Sequence, residues 1–236
     1  MAFVVVYCET SGVVREAFRR RGHDAISVDL LPAQDGSNHH VICDMWEHAD
    51  GLIRAGTLPD LAIFHNDCTY LTGSAEWAYS DGPYHMKLKP GTLVGAERRD
   101  AREVAIEGVR RVDRLPFPRK VLENPVGILS SRFRKPDQIV QPYEFGDNAS
   151  KKTCLWLWNV PKLVSDAAKR FPGRWVEHPT GSGKMVERWS NQTDGGYNRL
   201  APSDNRWQLR SDTFPGIAEA MAETFLEPVR DLFAAA

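Results

Sequence analysis

Apolar positions along the chain fall into short runs, each closed by a polar or glycine-bearing turn. Phe3 to Cys8 is a continuous β-branched run, as expected of a strand buried on both faces. Ser11-Gly12 interrupts it, and Val14, Ala17 and Phe18 then recur at helical spacing up to Arg21. Gly22 stops that helix, and a second short strand, Ala25 to Asp29, ends in an acid. Leu61 to Phe64 reads as a strand leading into His65-Asn66-Asp67-Cys68, and Lys120 to Leu122 as a strand leading into Glu123-Asn124-Pro125. Between them, residues 94 to 112 place Ala101, Val104, Ala105, Val109 and Val112 on one side of a predicted crossover helix, with arginines on the other. A strand at Thr153 to Trp158 and a final helix bearing Ile217, Ala220, Met221 and Phe225, which Pro228 ends or kinks, complete the pattern. Strands alternating with helices predict a doubly wound, mostly parallel α/β sheet.

Two stretches do not fit that alternation. Residues 68 to 93 carry scattered Gly and Pro among Tyr70, Trp77, Tyr79 and Tyr84, the makeup of a long functional loop. Residues 171 to 210 mix Gly, Pro and Asn with Trp175, Trp189, Tyr197 and Trp207, and read as a small irregular insertion suited to a minimal substrate-recognition region. The whole chain, 1 to 236, is expected to form one main domain carrying that insertion.

Composition narrows the function classes. At 42% hydrophobic and 26% charged, the 236 residues are those of an ordinary globular protein. No apolar run approaches the roughly 20 residues of a membrane span, and Met1-Ala2 opens no basic, then apolar leader, so a cytoplasmic protein is expected. Four cysteines without CxxC spacing predict reduced thiols, with Cys8 and Cys154 inside apolar strands. The net charge of −1 hides an asymmetry: residues 1 to 86 hold 5 basic against 12 acidic side chains, and residues 87 to 135 hold 13 against 6. That basic block, with Arg98, Arg99, Arg102, Arg110 and Arg111 on its helix, is a candidate phosphate-facing surface.

In an open parallel sheet, ligands bind beyond the strand C-termini. The first turn, with Ser11 and Gly12, is therefore a candidate cofactor site, and Asp29 is placed to accept hydrogen bonds from ribose hydroxyls. Cys68, just past an apolar strand, is a candidate nucleophile, and Glu123 holds the corresponding place after another strand. Gly181 to Lys184 lacks both the leading glycine and the following Ser or Thr of a phosphate-binding loop. His39, His40, Cys43 and Asp44 do not converge as metal ligands, so no metal is expected.

The order Ser11-Gly12, Asp29, Asp44, Asp67-Cys68-Thr69, Glu123-Asn124-Pro125, Phe145-Gly146, Lys151-Lys152 and Thr213 to Gly216 resembles the cytosine-5 DNA methyltransferases, especially short phage-type members. The resemblance implies the Rossmann-like fold of S-adenosylmethionine-dependent methyltransferases. It implies S-adenosylmethionine as cofactor, held around Ser11, Gly12, Asp29, Asp44, Thr213 and Gly216. It also implies DNA or a pyrimidine nucleotide as partner, contacted through Thr69, Lys151 and Lys152. Cys68 would attack C6 of cytosine, Glu123 would hold N3, and Asn124 would support Glu123. The chain departs from the family where Asp67 stands for a proline, raising the neighbouring thiol's pKa, and where Lys151-Lys152 stand for paired arginines. Two alternatives follow: a nucleotide-modifying enzyme with another acceptor or carbon unit, and a catalytically silent nucleic-acid-binding relative.

Overall fold

The structure, a computed structural model, describes residues 1–73, 75–84, 88, 90–201, 203 and 212–227. Trp207, Pro228 and parts of the 68–93 and 171–210 stretches lie outside the described residues. In chain order the elements are β1 (Phe3–Tyr7), α1 (Val13–Arg20), β2 (Asp24–Asp29), β3 (His40–Ile42), α2 (Met45–Ala55), β4 (Leu61–Phe64), α3 (Gly95–Arg114), β5 (Lys120–Pro125) and α4 (Leu129–Arg132). They continue with β6 (Gln138–Val140), β7 (Thr153–Trp158), β8 (Arg174–Glu177), β9 (Met185–Arg188) and α5 (Pro215–Thr224), and single 3-10 turns lie at Glu76–Tyr79 and Pro142–Phe145.

Seven strands form one sheet in the order β3-β2-β1-β4-β5-β7-β6. The first five run parallel, and β7 is antiparallel to both β5 and β6. The doubly wound, mostly parallel sheet read from the sequence is therefore correct. Strand alternation distributes the apolar run of β1 to two cores: Val4 and Val6 pack with Phe18, Ile217, Met221 and Phe225 of α1 and α5, while Val5 and Tyr7 pack with Ile106, Val109 and Trp156 on the α3 face. Among the described residues no helix is long and apolar enough to cross a membrane.

Several local expectations are corrected. β3 and α2 were not legible: β3 is three residues long, and Gly51 interrupts the apolar pattern of α2, which Asp44 nevertheless caps. Cys8 follows β1 in the left-handed region at φ 58 and is half-buried, not inside the strand. The stretch expected to be irregular contains an antiparallel hairpin, β8–β9. On α3 the buried stripe is Arg98, Ile106, Val109 and Val112, whereas Val104 is 73% exposed.

Candidate active site

The strand order reverses between β1 and β4, so the carboxyl ends of these two strands and their neighbours frame a crevice. At the end of β1 the chain turns back through Glu9, which is buried and whose carboxylate accepts from Val14 N at 2.6 Å and Arg15 N at 3.2 Å. Glu9 thus caps α1 from within the turn. Burial raises its pKa, against the His65 charge and these two N–H groups, which lower it. Ser11 Oγ lies 3.5 Å from the same carboxylate. Gly12 has φ 72, and an added Cβ would stand 2.3 Å from the Arg15 guanidinium, so only glycine fits. Arg15 is fully buried and donates to Ser27 Oγ at 2.8 Å and to Asp35.

Asp29 and Asp44 follow at the ends of β2 and β3. One oxygen of Asp29 accepts from Leu31 N at 2.9 Å, and one of Asp44 from Trp46 N at 2.8 Å and Glu47 N at 3.1 Å. Leu30 and Ile42 beside them are 68% and 63% exposed. Burial, then the charges of Asp29, Asp44 and Asp67, push the Cys8 thiol up to about 12.

On the β4 side, Asp67 accepts from Thr69 N at 2.8 Å and Thr69 Oγ1 at 2.5 Å, closing a tight turn that presents Cys68. The amides of Leu71 and Thr72 both donate to Cys68 O. The loop is pinned to the segment after β5, where Ile128 N donates to Leu71 O and a Cβ on Gly127 would lie 2.0 Å from that carbonyl oxygen. Burial pushes the Cys68 thiol up, the Asp67 and Glu123 charges add to this, and Lys151 opposes them. Asp67 therefore acts as the sequence implied, but burial is the larger cause.

Glu123 belongs to β5 itself, opposite Leu155 of β7, and not to a segment beyond it. Its carboxylate meets His65 Nδ1 at 3.0 Å. Burial raises its pKa, but the His65 hydrogen bond, the charges of Lys151 and His65, and a bond from Thr153 outweigh burial and hold it below the usual carboxylate range. Asn124 does not reach Glu123: its Nδ2 donates to Asn66 O at 3.1 Å, tying β5 to the Cys68 loop. Three buried atoms here, His65 Nε2, Asn66 Oδ1 and Asn124 Oδ1, have no hydrogen-bond partner among the described residues. Such atoms cost about 1–3 kcal/mol each, and the two amide oxygens suit a ligand bearing N–H groups. His65, Asn66 and Glu9 are the site residues that sequence reasoning left without a role, and the signal was their place directly after apolar strands.

The remaining candidates are dispersed around this centre. Lys151 Nζ donates to Asp212 O at 3.3 Å, and Gln34 bonds both Thr10 and the Asp212 side chain, which brings the segment before Thr213 beside the first turn. Lys152 is exposed. Gly216 N donates to Asp147 at 3.0 Å, and a Cβ there would lie 2.1 Å from Phe145 O, so this glycine seats α5. Of the α3 arginines, Arg99, Arg110 and Arg111 reach the surface as expected, each facing a carboxylate of the chain, whereas Arg98 and Arg102 turn inward. Arg98 is buried under Tyr70 and Tyr79, Arg102 lies 3.3 Å from the Tyr79 ring centre and bonds Glu76, Arg99 bonds Asp81, Arg110 approaches Glu107, and Arg111 bonds Asp50.

No protein-family profile matches the chain, and no curated protein matches it. Among solved structures, one similar chain is a prophage-encoded protein of E. coli, provisionally described as a DNA modification methyltransferase. It matches with TM-score 0.41 and 16% identity over 66% of this chain and 46% of that one. This chain thus spans about half the length of that structure. The strand order and the parallel run of β3, β2, β1, β4 and β5 by themselves make the fold doubly wound and Rossmann-like.

Proposed function

We propose that this protein transfers a methyl group from S-adenosylmethionine to C5 of cytosine in DNA. The observation that carries the reading is the pairing of Cys68 and Glu123 at the carboxyl ends of adjacent strands, with Glu123 buried, ionised and held by His65. The acid-rich edge formed by Asp29, Asp44 and Asp67 complements a cationic sulfonium, and exposed Leu30 and Ile42 offer apolar area for a flat heterocycle beside Asp29 and Asp44. The cofactor supplies an electrophilic methyl group.

The chain's own residues do the rest. Cys68 loses its proton and its sulfur bonds to C6, while N3 takes up a proton in contact with Glu123. The adduct is then a neutral enamine, electron-rich at C5, which accepts the methyl group. Loss of the C5 proton, of the N3 proton and of the sulfur then restores the ring. The unpartnered side-chain oxygens of Asn66 and Asn124 beside Glu123 favour an amino-bearing base over a keto one. A target base has to leave its stack to reach Cys68.

Cytosine fluorinated at C5 tests the reading, because the last proton abstraction cannot occur and the base stays bonded to sulfur. Wild type incubated with fluorinated oligonucleotide and cofactor should gain the mass of the adduct, and Cys68→Ser should not. A Cys68→Ser protein that methylates at the wild-type rate would remove this chemistry.

A further inference from the structure

On α3, Arg98 is buried against tyrosines, and Arg99, Arg102 and Arg111 each face a carboxylate of the chain; a second group of arginines gathers elsewhere. In the β8–β9 hairpin, Arg174 stands directly opposite Arg188. Like charges at such a cross-strand position destabilise a hairpin unless an anion is shared between them. Asp194 meets part of that need: it pairs with Arg174 at 2.5 Å, and its backbone carbonyl accepts from Arg188 Nε at 3.0 Å. The Arg174 bond, then the charges of Arg199 and Arg188, hold the Asp194 carboxyl below its usual range. Asp194 thus pairs directly with Arg174 alone, while Arg188 and Arg199 act on its carboxylate only through their charge. The Glu187 carboxylate is engaged by Arg170, and its backbone carbonyl accepts from Arg188 Nη1 at 3.1 Å.

The three arginines line a cavity of about 210 Å³ together with Trp189, Ser190 and Asn148. Its floor is fixed: Trp189 stacks on Tyr143 at 3.9 Å and its indole N–H donates to Phe171 O. The cavity is also tied to the candidate active site. Asn191 and Ser150 exchange two hydrogen bonds, at 3.0 and 2.9 Å, and the next residue is Lys151, whose charge acts on both Cys68 and Glu123. Tyr197, 78% exposed, lies on the same segment as Arg199.

We infer that Arg174, Arg188 and Arg199 form a binding site for a backbone phosphate of the polynucleotide whose base enters at Cys68. Guanidinium forks suit phosphate oxygens in a way that a lysine does not. The cavity would thus position the strand, while the base is handled at the sheet edge. The identity of the polymer rests on the function proposed above, but the anion site does not.

The test is fluorescence anisotropy of a labelled DNA duplex and of its single strand at several KCl concentrations. Arg199→Gln, at an exposed position, should weaken binding, and the Arg188→Gln, Arg199→Gln double variant should lower the salt slope by about 2, one counterion per lost contact. Asp194→Asn should act in the opposite direction and tighten binding, which mere damage to the hairpin would not do. Unchanged affinity and slope in the double variant, or weaker binding by Asp194→Asn, would overturn the assignment. So would arginine-dependent binding of inorganic phosphate in calorimetry with oligonucleotide binding untouched. Because anisotropy needs no turnover, a positive result alongside a failed fluorocytosine trap would sink the chemistry and keep this site.

Discussion

Asp67 has two opposed effects on Cys68: its carboxylate shapes the turn through Thr69 and at the same time raises the thiol's pKa. Asp67→Asn separates them, because the amide oxygen still accepts from Thr69 while the charge is gone. The rise of activity with pH should then begin at lower pH than in wild type, measured as initial rates of methyl transfer across buffers. Asp67→Pro, which loses both bonds to Thr69 along with the charge, should gain less. Glu123→Gln should lower kcat by roughly 10²–10⁴-fold while leaving cofactor affinity nearly unchanged. The same residue has a signature in stability. Its folded-state pKa is depressed, so its contribution is present above the unfolded carboxylate value near pH 4.3 and is lost as pH falls through the lower folded value. Acid titration of denaturant midpoints should therefore show a steeper loss in wild type than in Glu123→Gln. His65→Gln should raise the Glu123 pKa by removing the bond and charge that oppose burial, and so move the acid limb of the activity profile to higher pH.

Helix α3 shows how a charged element can serve packing. Arg98 and Arg102 precede Ile106 and Val109 at four- and three-residue steps, so they lie on the buried stripe and meet the loop after Cys68 there. Arg102 donates to Tyr70 O at 3.1 Å and covers Tyr79, and Arg99 donates to Tyr79 O at 2.7 Å. The helix holds the loop over β4. Arg102→Ala should lower thermal stability by about 1–3 kcal/mol through lost cation–π and charged hydrogen bonds, and should speed proteolysis between residues 69 and 84. Its oligonucleotide salt slope should stay at the wild-type value, in contrast with the hairpin variants.

Across the molecule, α5 closes the sheet by packing on α1, joined at its rim by Arg21 and Glu223 at 2.6 Å and by Arg20 with Glu219. This requires Gly216 against Phe145 O, and Gly216→Ala should cost about 1–3 kcal/mol in thermal unfolding because backbone must shift. Much of this architecture was legible locally. The run Val4 to Tyr7, the Phe18 stripe and the Met221 stripe each carry their periodicity within a few residues, and period alone assigns strand or helix. Cys68 and Glu123 were legible too, because polar residues ending apolar strands are carried to one edge by any parallel sheet. Short elements such as β3 and β8–β9 carried too few residues for a period to register. The sequence likewise could not assign the arginines, since a guanidinium on a helix reads the same whether it faces water or a tyrosine. Nor could it join His65 to Glu123, 58 residues apart, or leave Arg174, Arg188 and Arg199 around one carboxylate. Those partnerships are made by strand order and loop docking, which bring together groups that no local spacing relates.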